Sequence, residues 1–179
     1  MMKTTLKISA VISILLVYVS ISGCVDLPSE PDLETESVEV LSVVDGDTIE
    51  VEFENGTEGT VRILGVDTPE VHTDVDTSEW EDIDNRTWLE RCGLKASNFT
   101  KRWISSEVDL IFDENEGKKG YYGRYLAYVE LENSTDLGAE LTKNGWARVY
   151  TEGNCQREDQ YLDHEEEARK DGEGVWERA

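Results

Sequence analysis

Val61-Arg62-Ile63-Leu64-Gly65-Val66-Asp67-Thr68-Pro69-Glu70 is the stretch on which the reading of this chain turns. Its first half alternates as an extended strand does, so Arg62, Leu64 and Val66 are expected on one face, with Arg62 beside the carboxylates that follow. Asp67 is a hard oxygen donor for a metal ion, Glu70 is a candidate base for water, and Arg62 is a fixed cation for charge growing on phosphorus. A strand closed by a proline turn with solvated charges accounts for the same ten residues.

Working outward, the texture is that of short strands. Val38, Val40 and Val44, then Thr48 to Phe53, then Thr60 to Val66 read as three strands, with Asn55-Gly56 a hairpin signal between the second and third. Glu107 to Phe112 and Tyr125 to Leu131 read as a fourth and fifth. Ala96, Phe99 and Trp103 recur at helical spacing in Gly93 to Ser105. Leu137 to Asn144 and Arg157 to Lys170 read as helices stopped by Gly145 and Gly172. Five short strands with a helix inserted after the third and two more helices later predict an α+β domain built on a small closed β-barrel of the OB type.

The segment Val71 to Glu90 carries Asp74, Asp76, Glu79, Glu81, Asp82 and Asp84 and reads as a long solvated loop. Its spacing is not that of an EF-hand, because Glu79 stands where the loop needs glycine. Neither His72 nor His164 has a second His or Cys at ligand spacing, so neither reads as a metal ligand.

The ends of the chain divide it further. Met1 to Lys7 is basic and Ile8 to Ile21 apolar, which is the pattern of a secretory signal over residues 1–23; a retained membrane span is the alternative. Ile21-Ser22-Gly23-Cys24 resembles a lipobox, and lipid on Cys24 would anchor the chain to the outer face of a membrane, two acyl chains sufficing where one does not. Residues 24–37 hold Pro28, Pro31 and five acids and read as an acidic tether, leaving 38–179 as one domain. Export makes a Cys92–Cys155 disulfide expected, two buried thiols being the alternative, and opens the sequons at Asn55, Asn85, Asn98 and Asn133 to glycans.

Three separated segments carry one chemistry: Val44-Asp45-Gly46-Asp47-Thr48, Arg62 to Glu70, and Tyr122-Gly123-Arg124-Tyr125-Leu126-Ala127-Tyr128. In order and spacing they resemble the staphylococcal nuclease (thermonuclease) family, over residues 38 to 176. The resemblance implies a single Ca2+ held by Asp47, Asp67 and the carbonyl of Thr68, with Glu70 as general base. It implies that Arg62 and Arg124 grip the phosphate, that Tyr122 contacts it, and that Tyr150 is the candidate for stacking on substrate. Where such nucleases commonly carry a lysine, this chain has Tyr121, and its acidic loop is longer. The implied activity is hydrolysis of DNA and RNA by a monomer at the cell surface. A non-catalytic nucleic-acid-binding module is the rival class. The formal charge of -23 sets both apart from ordinary nucleic-acid binders, which are basic.

Overall fold

The structure, a computed structural model, describes residues 33–179. The signal segment, Cys24 and the tether as far as residue 32 lie outside the described residues. Strands β1 (Thr35–Val43), β2 (Thr48–Phe53) and β3 (Glu58–Ile63) form a meander, followed by a two-residue strand β4 (Val66–Asp67). Then come α1 (Arg86–Trp103), β5 (Glu107–Ile111), β6 (Tyr125–Glu130), α2 (Leu137–Lys143), a second two-residue strand β7 (Arg148–Val149) and α3 (Glu158–Asp171).

Five strands close into a barrel in the order β1-β2-β3-β6-β5, antiparallel throughout except for the parallel pair β3–β6. The five-stranded OB-type barrel with three helices is therefore present. Period-two burial explains it: Ile49, Val51, Val61, Ile63, Leu110, Ala127 and Val129 are all sealed from solvent inside. The first strand starts earlier than the sequence suggests. Thr35, Glu36 and Ser37 pair with Ile111, Leu110 and Asp109, so the tether does not run to residue 37.

The third strand is not continuous to Val66. Gly65 adopts φ 80°, which breaks the run after Ile63 and turns Val66 and Asp67 away to pair with Val149 and Arg148. Arg62, Leu64 and Val66 thus do not share one strand face.

The acidic loop is not a solvated one. Val75, Trp80 and Ile83 are buried with Trp88, Leu89 and Cys92 of α1, Ala168 of α3, and Val175 and Trp176 near the C-terminus, making a second apolar core. The Trp80 and Trp176 rings lie 5.7 Å apart, and the Trp88 indole donates to the Val175 carbonyl at 2.8 Å. With that support α1 begins at Arg86, capped by Asn85, whose side chain accepts from the Trp88 amide at 3.0 Å.

No disulfide joins Cys92 and Cys155; both are buried free thiols. Cys92 belongs to the second core, whereas Cys155 packs with the barrel core, its sulfur 3.4 Å from the Tyr128 hydroxyl. Burial pushes the Cys92 thiol up to about 11 and raises Cys155 as well. Helix α3 is fastened to the barrel by polar contacts. Arg157 binds Asp136 at 2.6 Å and lies over the Tyr128 ring, while the Tyr161 hydroxyl donates to Asp136 at 2.7 Å.

One face of the barrel carries a line of like charge. Glu58, Glu52, Glu39 and Glu107 are successive cross-strand partners on β3, β2, β1 and β5. Directly opposed like charges destabilise a sheet and opposed unlike charges stabilise it, each by about 0.2–1 kcal/mol. Glu39 has two such neighbours. Glu39→Lys is expected to stabilise the domain by about 1 kcal/mol in dilute buffer, with most of the gain gone at molar salt. Urea unfolding of both proteins at low and high salt measures it, and a gain that is independent of salt would count against repulsion along this line.

Candidate active site

Register places the first two site residues. Thr48 pairs with Arg62 across β2 and β3, so the guanidinium of Arg62 reaches Asp47, one residue before Thr48. Arg62 Nη1 donates to Asp47 Oδ1 at 2.9 Å, and Nη2 binds Asp67 Oδ1. Asp47 is almost fully enclosed. Its other oxygen accepts from the Thr68 amide at 2.7 Å, which locks the second ligand-bearing segment onto the first.

Helix α1 presses that second segment into place. A Cβ on Gly93 would lie 2.4 Å from the Pro69 carbonyl oxygen, so only glycine permits the helix to lie this close to Pro69-Glu70. From the same helix, the Thr100 hydroxyl donates to the Gly46 carbonyl at 2.6 Å and steadies the turn that carries Asp47.

The electrostatics follow from burial. Desolvation pushes the Asp47 carboxyl up to about 7, with Arg62 pulling it back and Asp45 and Asp67 adding to the rise. Burial opposes the charge on Arg62, but Asp47 and Asp67 more than offset it and the guanidinium stays fully ionised. Glu70, at the exposed rim, is raised above the usual glutamate value by partial burial and then by Asp45 and Asp67, while Arg62 and Arg124 draw it down. Asp45 and Asp67 are thus the acids, and Arg62 and Arg124 the bases, whose charges bear on Glu70.

Arg124 differs from Arg62 in what surrounds it. Among the described residues it has no carboxylate within ion-pair distance, and its guanidinium stands 5.9 Å from the Tyr122 ring centroid. Tyr122 is exposed on the same rim. Tyr150 is half-exposed after β7, beside a shallow pocket that also takes in Arg62, Leu126 and Cys155. The predicted site residues Asp47, Arg62, Asp67, Thr68 and Glu70 are thus brought together, with Arg124 and Tyr122 at one edge and Tyr150 at another.

Arg148 is the member that sequence reasoning missed. It lies directly opposite Asp67 in the β4–β7 pair and binds Asp67 Oδ2 at 2.7 Å, with Glu79 of the acidic segment 3.9 Å away. The only trace in sequence is its place two residues before Tyr150, and nothing local says that β7 meets β4.

Among the described residues no group of three or more His, Cys, Asp or Glu side chains stands at metal spacing. A cation here would therefore rest on two carboxylates and the Thr68 carbonyl, with water completing the shell. The donor set fits a hard ion: every donor is oxygen, and the two carboxylates and the carbonyl are the ligand types that such a cation takes.

The comparisons agree with this geometry. A family model for the staphylococcal nuclease homologue matches residues 60–178. The thermonuclease of Staphylococcus intermedius is 33% identical over 180 residues, covering 98% of this chain and 97% of that protein. Uncharacterized protein MJ1439 of Methanocaldococcus jannaschii is 40% identical over 146 residues, 76% of this chain and 70% of its own. Endonuclease YhcR of Bacillus subtilis is 30% identical over 83% of this chain, which corresponds to 12% of that longer protein. A closed five-stranded barrel, the carboxylate–guanidinium site on its β2–β3 face and a match over two thirds of the length lead to one conclusion: the chain belongs to the staphylococcal nuclease homologue family.

Proposed function

We propose that this phosphodiester-hydrolysing nuclease depends on calcium, cuts both DNA and RNA with little sequence preference, and acts as a monomer on the outer face of a membrane, anchored by lipid at Cys24. The observation that carries the catalytic part is the joining of Asp47 and Asp67 through Arg62, with the Thr68 amide on Asp47 and Glu70 two residues further along the same segment. The anchor is supported by the sequence before Cys24 alone.

Asp47, Asp67 and the Thr68 carbonyl would hold the calcium ion, which when bound neutralises phosphate charge and makes phosphorus more electrophilic. Glu70 takes the proton of the attacking water; its raised pKa brings its basicity closer to what that transfer needs. Arg124, which pairs with no carboxylate among the described residues, offers forked N–H donors to phosphate oxygens and gains most as charge builds in the transition state. Arg62 spends two donors on Asp47 and Asp67 and so fixes the carboxylates, with three donors left for the phosphate. The backbone and sugar contacts this site makes are common to every nucleotide, which supports low sequence preference.

Glu70→Gln and Arg124→Ala are each expected to lower turnover on single-stranded DNA by about 100-fold or more while leaving the thermal melt in place. The base must be ionised, so turnover of the unmodified enzyme falls as pH drops through a Glu70 pKa that lies above the ordinary 4.5, and Glu70→Gln loses that limb. Near-normal turnover in either variant would remove that residue from the mechanism.

Calcium should also stabilise the fold, because it binds carboxylates that burial leaves poorly solvated; at about 100 times its Kd the gain is about 2.7 kcal/mol. The melting temperature is expected to rise on calcium addition in the unmodified protein and to stay level in Asp47→Ala. An equal rise in both would place the ion elsewhere. For the anchor, intact-mass analysis of membrane-extracted protein is expected to show a chain beginning at an acylated Cys24, and an unprocessed or unacylated terminus rules it out.

A further inference from the structure

Ahead of β6 the chain makes a short hairpin. Lys119 bridges Tyr125, the Gly120 amide donates to the Arg124 carbonyl at 2.9 Å, and the Leu126 amide donates to the Lys118 carbonyl at 3.0 Å. Its tip is a tight turn closed by a bond from the Gly123 amide to the Gly120 carbonyl at 2.9 Å, with Gly123 at φ 77°.

The two corners of that turn are tyrosines. Tyr121 is 96% exposed and Tyr122 81% exposed, and their rings meet edge to face with centroids 5.3 Å apart at 89°. Turn corners usually hold Gly, Pro, Asn, Asp or Ser, and aromatic rings there add nothing to the core. Each ring props the other, while the outer face of Tyr121 stays open. The ledge lies beside Arg124, whose guanidinium stands 5.9 Å from the Tyr122 ring centroid.

Charge does not explain this tip. Lys118 is held by Glu34 and Glu36, and the Lys119 ammonium lies 4.1 Å over the Tyr125 ring. What the two corners of the turn present to solvent is π surface, with the Lys119 ammonium behind them in the hairpin stem. A ring face attracts a nucleobase whatever the net charge around it, which gives a chain of charge -23 a hold on a polyanion that needs no further cations.

We propose that Tyr121, propped by Tyr122, is a stacking platform for an unpaired nucleobase in the strand whose phosphate Arg124 holds. The ligand class is single-stranded nucleic acid, because in a duplex both faces of each base are already stacked. The placement of the phosphate at Arg124 rests on the nuclease reading above; the stacking itself does not require cutting.

The platform needs no metal, so binding is measured by fluorescence anisotropy on the full chain in EDTA, where the strand stays intact. The probes are a labelled oligothymidylate and an abasic strand of equal length, each at 50 mM and 500 mM salt (the abasic strand carries the same phosphates). Tyr121→Ala is expected to weaken the base-bearing strand by about 5- to 150-fold, leave the abasic strand unchanged, and lose the same factor at both salts because no counterion is released by a ring. Tyr121→Trp is expected to keep the affinity. Equal losses on both strands, no loss on either, or no preference of the unmodified chain for the base-bearing strand would each overturn the platform. Cleavage is scored separately in calcium: a strand bound through its bases but left uncut counts against the nuclease reading and leaves the platform standing.

Discussion

The ion bridge from Asp47 through Arg62 to Asp67 is the contact on which the rest of this structure depends. Asp47 lies where water cannot solvate its charge, and removing the partner of a buried charge is far costlier than never having buried the pair. The bridge requires β2 and β3 in the register that opposes Thr48 to Arg62, and it requires the chain to break at Gly65 so that Asp67 returns to the same guanidinium. Arg148 then closes the far side of Asp67 from a strand more than eighty residues along the chain. Barrel register, the strand break and the C-terminal β7 are thereby tied to a single carboxylate pair. The fold and the chemistry share one electrostatic requirement.

A second core divides the labour. Helix α1 sends Phe99 into the barrel core, and Trp88, Leu89 and Cys92 into the cluster around Trp80 and Trp176. The same helix holds Gly93 against Pro69. Packing of the C-terminal residues is therefore felt at Glu70 through one rigid element, with the acidic segment sandwiched on the way.

The barrel was legible because alternation is a local property. Ile49, Val51 and Phe53 announce a half-buried strand whatever lies around them, and Gly172, at φ 68°, stops α3 by its own freedom. Asp47 and Asp67 stood out by likeness of motif, and the structure joins Arg62 to both. What escaped was everything decided by a distant partner. Val75, Trp80 and Ile83 have no period of their own in an acidic run, and their burial depends on Val175 and Trp176, almost a hundred residues away. Arg148 looks like any strand arginine until β7 is seen to pair with β4. Thr35 to Ser37 read as tether from their polar composition, which strand pairing with Asp109 to Ile111 outweighs. The cysteine pairing failed for a related reason: compartment argued for a bond, but the two thiols belong to different cores.

Those two thiols bear on how the domain matures. Each is buried and held above the ordinary thiol pKa, so little thiolate is present to attack or be oxidised. Assembly of the barrel and its second core thus involves no redox chemistry. Neither a disulfide catalyst nor an oxidising compartment is called for by these two cysteines, because the native structure leaves them unjoined.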